Sequence, residues 1–180
     1  MLESDARSKK IAVVAHCLLN QNAKVQGLAV YQGVFEPIAS ILFRKGIGII
    51  QMPCPELKIL GPARPLGTDT VDQYDTDEFR AKCIDLTSEI LLEISAYHNS
   101  GYRIMCILGV DGSPSCSVVQ VPKLTKSGQR ILESGKGIFM QILNDELEKK
   151  GFVFPMIGVP ENRKSLYFDD ALTKIISILE

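Results

Sequence analysis

Three of the five cysteines stand just after short apolar runs of the sequence. In chain order, the runs and the cysteines after them are 11–15 with Cys17, 47–52 with Cys54, and 102–110 with Cys116. Short runs of β-branched and small apolar residues are typical of strands that a parallel sheet buries on both faces. The carboxyl ends of such strands meet at one edge of the sheet, where α/β proteins bind their ligands. We therefore expect the three thiols to lie close together.

Three convergent thiolates without a fourth suit two kinds of metal centre. One is a four-iron cluster with an open iron, and the other is a zinc site with an open position. The cluster is favoured, because structural zinc sites use closely spaced ligand pairs and this chain has no C-x-x-C motif. The loops are also long enough to surround a group larger than one ion. His16 could add a ligand, but its position beside Cys17 favours a packing or supporting role.

A simpler interpretation of the cysteines stays open. Free cysteines are often buried and behave as small apolar groups. We interpret Cys83, on the apolar face of a predicted helix, and Cys106, in the middle of a predicted strand, in this way. A cluster-free enzyme with Cys17 as nucleophile and His16 as its base is disfavoured, because adjacent residues at a strand end usually point in opposite directions.

Length and composition predict one domain over residues 1–180. The chain has 46% hydrophobic residues and a formal net charge of -1. Nearly balanced charge gives no sign of a nucleic-acid or membrane surface, so a small-molecule partner is expected, and the oligomeric state stays open. No apolar run reaches the roughly 20 residues of a membrane span, and the N-terminal segment lacks the apolar core of a secretory signal. These features predict a cytoplasmic protein without a disulfide framework.

Strand and helix patterns alternate along the chain. Predicted strands are 11–15, 47–52, 102–110 and 152–159, and predicted helices are 31–45, 76–98, 137–150 and 169–179, with a long loop at 54–75. This alternation predicts right-handed β-α-β units around a mostly parallel sheet. The predicted fold class is therefore doubly wound α/β, Rossmann-like or flavodoxin-like, with about four or five strands in an order that the sequence does not reveal.

Around these cysteines the sequence resembles the 2-thiouracil desulfurase family, formerly catalogued as a domain of unknown function. That family carries three cysteines in motifs of the CLL, CPE and SPSC type, and the same motifs stand here in the same order. Asn22, Lys24 and Gly27 look like the family's Asn, basic residue and Gly after the first cysteine. The resemblance covers roughly the first two thirds of the chain. Ser117 departs from it, because the family commonly has Gly there.

The resemblance implies a [4Fe-4S] cluster ligated by Cys17, Cys54 and Cys116, with one iron that no protein residue ligates. That iron is expected to bind the sulfur of a thiolated nucleobase or related small thio-compound. Water would then replace the sulfur without net redox change, and sulfide would be released.

A base for the attacking water is also implied by this chemistry. Glu56 is the first candidate, and Asp111 and Ser113, just before the third cysteine, are the others. Arg64 is similar to an arginine of the family's Arg-Pro pair and could orient the substrate or Glu56. A second hypothesis needs only the cysteines: the protein binds or relays a cluster or sulfide without catalysing a reaction.

Overall fold

The computed structural model describes residues 5–162 and 164–180, in which strands and helices alternate. The strands are Lys10–Val14 (β1), Gly48–Gln51 (β2), Arg103–Asp111 (β3), Gln120–Leu124 (β4), Arg130–Ser134 (β5) and Met156–Pro160 (β6). The α-helices are His16–Leu19 (α1), Glu36–Arg44 (α2), Pro55–Leu60 (α3), Val71–Tyr74 (α4), Asp77–Asn99 (α5), Ile138–Lys149 (α6) and Phe168–Ile178 (α7).

Four strands form a parallel sheet in the order β2-β1-β3-β6, with helices along it. This confirms the predicted α/β class with a Rossmann-like parallel sheet. The two inner strands, β1 and β3, are buried almost along their whole length, as strands covered on both faces must be. That the whole chain makes one domain stays a prediction.

The strand order creates a switch point between β1 and β3. Strand β2, which follows β1 in the chain, pairs with one edge of β1, and β3 pairs with the other edge. The loops after β1 and β3 therefore leave the sheet in opposite directions and open a crevice at its carboxyl edge, where ligands of such folds bind. This order, which periodicity could not reveal, determines where the site lies.

Helix α5 has the start and the buried face that the sequence predicts. The Thr76 side chain accepts a hydrogen bond from the backbone N–H of Phe79 at 3.2 Å, which satisfies one of the free donors of the first turn. The predicted helix 31–45 is wrong at its start, since α2 begins at Glu36 and the residues before it form bends. Pro37 explains the boundary, because proline fits the first turn of a helix but not its interior.

Two segments are more ordered than the sequence suggests. The predicted loop 54–75 contains the short helices α3 and α4. Between β3 and α6, the antiparallel hairpin of β4 and β5 was not predicted at all. The sequence feature that could have indicated the hairpin is the turn at Thr125–Gln129. Gly128 in this turn has a φ of 80°, which glycine adopts without a steric penalty.

In the part of the chain that the structure covers, no helix has the length and apolarity needed to cross a bilayer.

Candidate functional site

A cavity of about 210 Å³ is lined by Cys17, Cys54 and Cys116. These residues follow β1, β2 and β3, so the cavity lies at the carboxyl edge of the sheet, next to the switch point. The structure thus brings together the three cysteines that the sequence singled out. Their role as metal ligands stays a prediction.

The first two cysteines are held by short helices that begin directly after the strands. Cys17 lies in the first turn of α1, and its backbone carbonyl accepts a hydrogen bond from the Gln21 side chain at 2.8 Å. Cys54 caps the N-terminus of α3, where its sulfur accepts the backbone N–H of Leu57 at 3.4 Å. An N–H donor of this kind stabilises a thiolate and tunes a metal bound to it.

The loop that carries Cys116 folds back onto β3. The Val110 N–H donates to the Cys116 carbonyl at 2.9 Å, and the Ser113 hydroxyl accepts the N–H groups of Ser115 and Cys116 at 3.2 and 3.1 Å. Gly109 allows the close approach, because a Cβ there would lie 2.3 Å from the Cys116 carbonyl oxygen. The loop conformation therefore depends on backbone contacts as well as on its own turn.

Helix α6 supports the same loop from its N-terminal end. A Cβ on Gly137 would lie 2.4 Å from the Ser115 carbonyl carbon and 2.8 Å from the Cys116 nitrogen. Both are backbone atoms, which cannot move aside as a flexible side chain can. Gly137 is thus required for the position of Cys116.

Gly137→Ala should therefore displace the third cysteine and reduce the iron that the protein binds, with a loss of stability on the order of 1–3 kcal/mol from overpacking. Gly33→Ala is the matched control, because nothing lies within 4 Å of a Cβ there. Iron content and denaturant midpoint of both variants test this. Full iron content in Gly137→Ala would show that the loop tolerates the shift.

Burial disfavours the ionised form of all three thiols. Desolvation, with the neighbouring Glu56 carboxylate, raises the pKa of Cys54 to about 11. Burial raises the pKa of Cys17 and Cys116 further, and the thiols also act on one another. A bound cationic group reverses this balance, because it stabilises the thiolates that ligate it.

The cavity also suits a group of several atoms. Its volume of about 210 Å³ is several times the ~30 Å³ that one water molecule occupies in the liquid. Within residues 5–162 and 164–180, no three His, Cys, Asp or Glu side chains lie close enough to hold one metal ion. The Arg64 side chain lines the cavity, and its buried Nε has no acceptor among the described residues. Three thiols and an unpaired donor around such a space fit an iron–sulfur cluster.

Glu56 is buried beside Cys54 and is held at both oxygens. Its Oε1 accepts the Ser115 hydroxyl at 2.7 Å, and its Oε2 pairs with the Arg64 guanidinium at 3.4 Å. Arg64 is buried too and donates to the carbonyls of Ala23 and Gly61, so it is not a solvated surface residue. A carboxylate can accept about four hydrogen bonds, so Glu56 keeps capacity for a water molecule.

The other two candidates line the cavity but have structural contacts. Asp111 Oδ1 accepts the backbone N–H groups of Val118 and Val119 at 3.0 and 2.9 Å, which closes the loop after β3. Ser113 shapes the turn around Cys116, as described above. Of the three candidates, Glu56 has contacts that suit a base best.

Sequence reasoning missed several charged residues of the cavity. Glu161, after β6, accepts the Gln21 side chain at 2.7 Å and forms a buried ion pair with Lys24. Asp69, from the loop before α4, forms an ion pair with Arg130 of the hairpin at 3.4 Å. No periodic pattern marks these residues, because they come from loops and from the hairpin.

The remaining sequence candidates lie elsewhere. The His16 ring contacts the Gln51 side chain at 3.2 Å and does not line the cavity, and burial lowers its pKa. Cys83 on α5 and Cys106 on β3 are fully buried. Cys83 is near enough to the site for its charge to affect the pKa of Cys116.

The chain is similar in sequence to a protein of an archaeon. The uncharacterized protein MJ0003 of Methanocaldococcus jannaschii is 33% identical over 158 residues, which are 88% of this chain and 90% of that protein. The chain belongs to the MJ0003 family. A scan of protein-family models finds no match.

A more remote likeness was found among solved structures. The [4Fe-4S]-dependent thiouracil desulfidase TudS has 20% sequence identity and a TM-score of 0.48, over 92% of this chain and 99% of that one.

Proposed function

We propose that this protein holds a [4Fe-4S] cluster at Cys17, Cys54 and Cys116 and removes sulfur from a thiolated nucleobase or related small thio-compound. The observation that carries the proposal is that three thiols, which follow three separate strands, line one cavity together with a buried, paired carboxylate. The Cys54 and Cys116 side chains are buried, and Cys17 is half-buried. The cysteine motifs, which resemble those of the desulfurase family, support the same assignment. One iron would have no protein ligand, because the motifs supply three cysteines.

When bound, the cluster supplies a Lewis-acidic iron that polarises the carbon–sulfur bond. Glu56 accepts a proton from the attacking water, and its contacts to Ser115 and Arg64 hold the carboxylate in one orientation. The overall change is hydrolysis: C=S and water give C=O and hydrogen sulfide, with no electron transfer.

Anaerobic preparation and reconstitution test the proposal directly. We expect about four iron and four acid-labile sulfide per chain, and sulfide release from at least one of a panel of thiolated pyrimidines and purines. Full iron content without sulfide release from any compound would favour the non-catalytic hypothesis of cluster or sulfide binding. Failure to bind iron would contradict the proposal.

A further inference from the structure

Four carboxylates line the cavity, and they differ in how their oxygens are used. They are Glu56, Asp69, Asp111 and Glu161. Both oxygens of Glu56 and both of Glu161 have partners. The Asp111 carboxylate accepts backbone N–H groups through Oδ1 and packs on Gly158, where a Cβ would lie 2.1 Å from Oδ2. By contrast, the Asp69 carboxylate has a single protein partner among the described residues, Arg130.

Asp69 has one weak partner and one uncommitted oxygen. Its Oδ2 lies 3.4 Å from Arg130 Nη2, and within the described residues its Oδ1 accepts no hydrogen bond. The side chain is nevertheless only 14% exposed. A mostly buried carboxylate that faces a cavity with an open acceptor is arranged to receive a group from a ligand.

The backbone holds Asp69 in an unusual conformation. Its φ is 49°, in the left-handed region, and among the described residues only Lys9 is another non-glycine residue with positive φ. The Asp69 N–H donates to the Gln73 side chain at 2.9 Å, and Arg130 donates to the Asp69 carbonyl at 3.4 Å. Strain maintained in this way is common at ligand sites.

We propose that Asp69 binds the ring nitrogen next to the thiocarbonyl carbon of the substrate and exchanges a proton with it. This inference rests on the proposed function and deepens it, because it specifies a thio-heterocycle with a nitrogen beside the carbon–sulfur bond. Asp69 thereby acts as the acid, in complement to Glu56 as the base.

The proton transfers balance for a substrate bound as its thioimidate anion, N=C–S⁻. Water adds its oxygen to the carbon, Glu56 takes one water proton, and Asp69 gives its proton to the ring nitrogen. As the carbon–sulfur bond breaks and C=O forms, Asp69 takes the hydroxyl proton and Glu56 returns its proton to the sulfur. The sum is one anion plus water giving the oxo-heterocycle plus HS⁻, with both carboxyl groups restored.

The electrostatics of Asp69 suit this exchange. Burial and the Glu56 carboxylate raise the pKa of Asp69 to about 6, against the opposing effects of Arg130 and Lys24. The acid form is therefore accessible near neutral pH, whereas an ordinary aspartate would be ionised. Because the folded-state pKa lies above the usual value, ionisation opposes folding, and stability falls as pH rises from about 4 to 6.

The test compares Asp69→Asn with the wild type in iron content, 2-thiouracil affinity and sulfide release from pH 5 to pH 8. We expect unchanged iron, a loss of kcat/KM of at least about tenfold, and loss of the pH dependence of binding centred near 6. The Asp69→Asn protein should also lack the fall in stability between pH 4 and 6. Arg130→Gln should move the binding midpoint upward, because the guanidinium opposes the raised pKa.

Asp72→Asn is the matched control. Asp72 accepts the Leu124 N–H at 2.9 Å, so it ties the same segment to the hairpin without lining the cavity. If Asp72→Asn lost binding and turnover as Asp69→Asn does, the role of Asp69 would be only to hold the loop. Near-full turnover and unchanged pH dependence in Asp69→Asn would also overturn the proposal.

The outcome for the wild type separates this inference from the proposed function. If the wild type binds 2-thiouracil with a midpoint near pH 6 but releases sulfide from no compound of the panel, desulfuration is wrong and the role of Asp69 in recognising the heterocycle stands. If iron-loaded wild-type protein binds none of the thiolated pyrimidines and purines of the panel and none of their oxo products, both fail.

Discussion

Cys17→Ser, Cys54→Ser and Cys116→Ser should each yield a folded protein that holds no stoichiometric iron after anaerobic reconstitution. A serine hydroxyl is a poor substitute for the thiolate that a cluster iron needs. Each residue follows a different strand and lines the cavity, so the loss of any one removes one of the three thiols of the site. Iron, acid-labile sulfide and the visible absorption of the cluster measure the result.

Cys83→Ser and Cys106→Ser are the controls for this prediction. Both residues are fully buried, so a hydroxyl without a partner should cost on the order of 1 to 3 kcal/mol of stability. Their iron content should equal that of the wild type. Cys83 is the sharper control, because its pKa is affected by Cys54 and it therefore lies near the site. Stoichiometric iron in any of the three ligand variants would contradict the assignment.

Glu56→Gln should reduce sulfide release by a factor of about 10² to 10⁴, the usual effect of removing a general base. Glutamine keeps the size of glutamate and can still accept the Ser115 hydroxyl, but it cannot take a proton from water. Iron should remain bound, since Glu56 is a neighbour of the cysteines and not one of them. Sulfide release and iron content measured on the same preparation test this.

The pairing of Glu56 with Arg64 adds a second effect that must be separated from the first. Both side chains are buried, at 8% and 4% exposure, and breaking a buried pair leaves an uncompensated charge that can cost about 3–5 kcal/mol. Ser115→Ala removes an orienting contact of Glu56 but keeps the ion pair. A base role predicts a smaller rate loss in Ser115→Ala than in Glu56→Gln, and a purely structural role predicts rate losses that follow the melting temperature.

Asp111→Asn and Ser113→Ala complete the comparison of the base candidates. If Glu56→Gln kept near-full activity while Asp111→Asn lost it at unchanged melting temperature, the base would be Asp111. If all of these variants stayed active, the water would need no protein base.

The sequence by itself was sufficient to predict the strands that lead to the site and the cysteine that follows each of them. Apolar runs identify buried parallel strands because both faces exclude water, so no polar alternation interrupts them. Thr76 predicted the start of α5 correctly, because N-capping is a local interaction between a side chain and the backbone of the next turn. The α/β class followed from the alternation of these elements.

Only the tertiary structure determined which charged residues face the cysteines. Asp69 and Arg130 meet across 61 residues of sequence, and Lys24 and Glu161 across 137. Such pairs depend on strand order and loop paths, because contacts between loops leave no period in the sequence. The same reason separates Glu56 from Asp111: both are acids next to a cysteine motif, and only their hydrogen bonds in the folded chain distinguish an oriented carboxylate in the cavity from one that closes a loop.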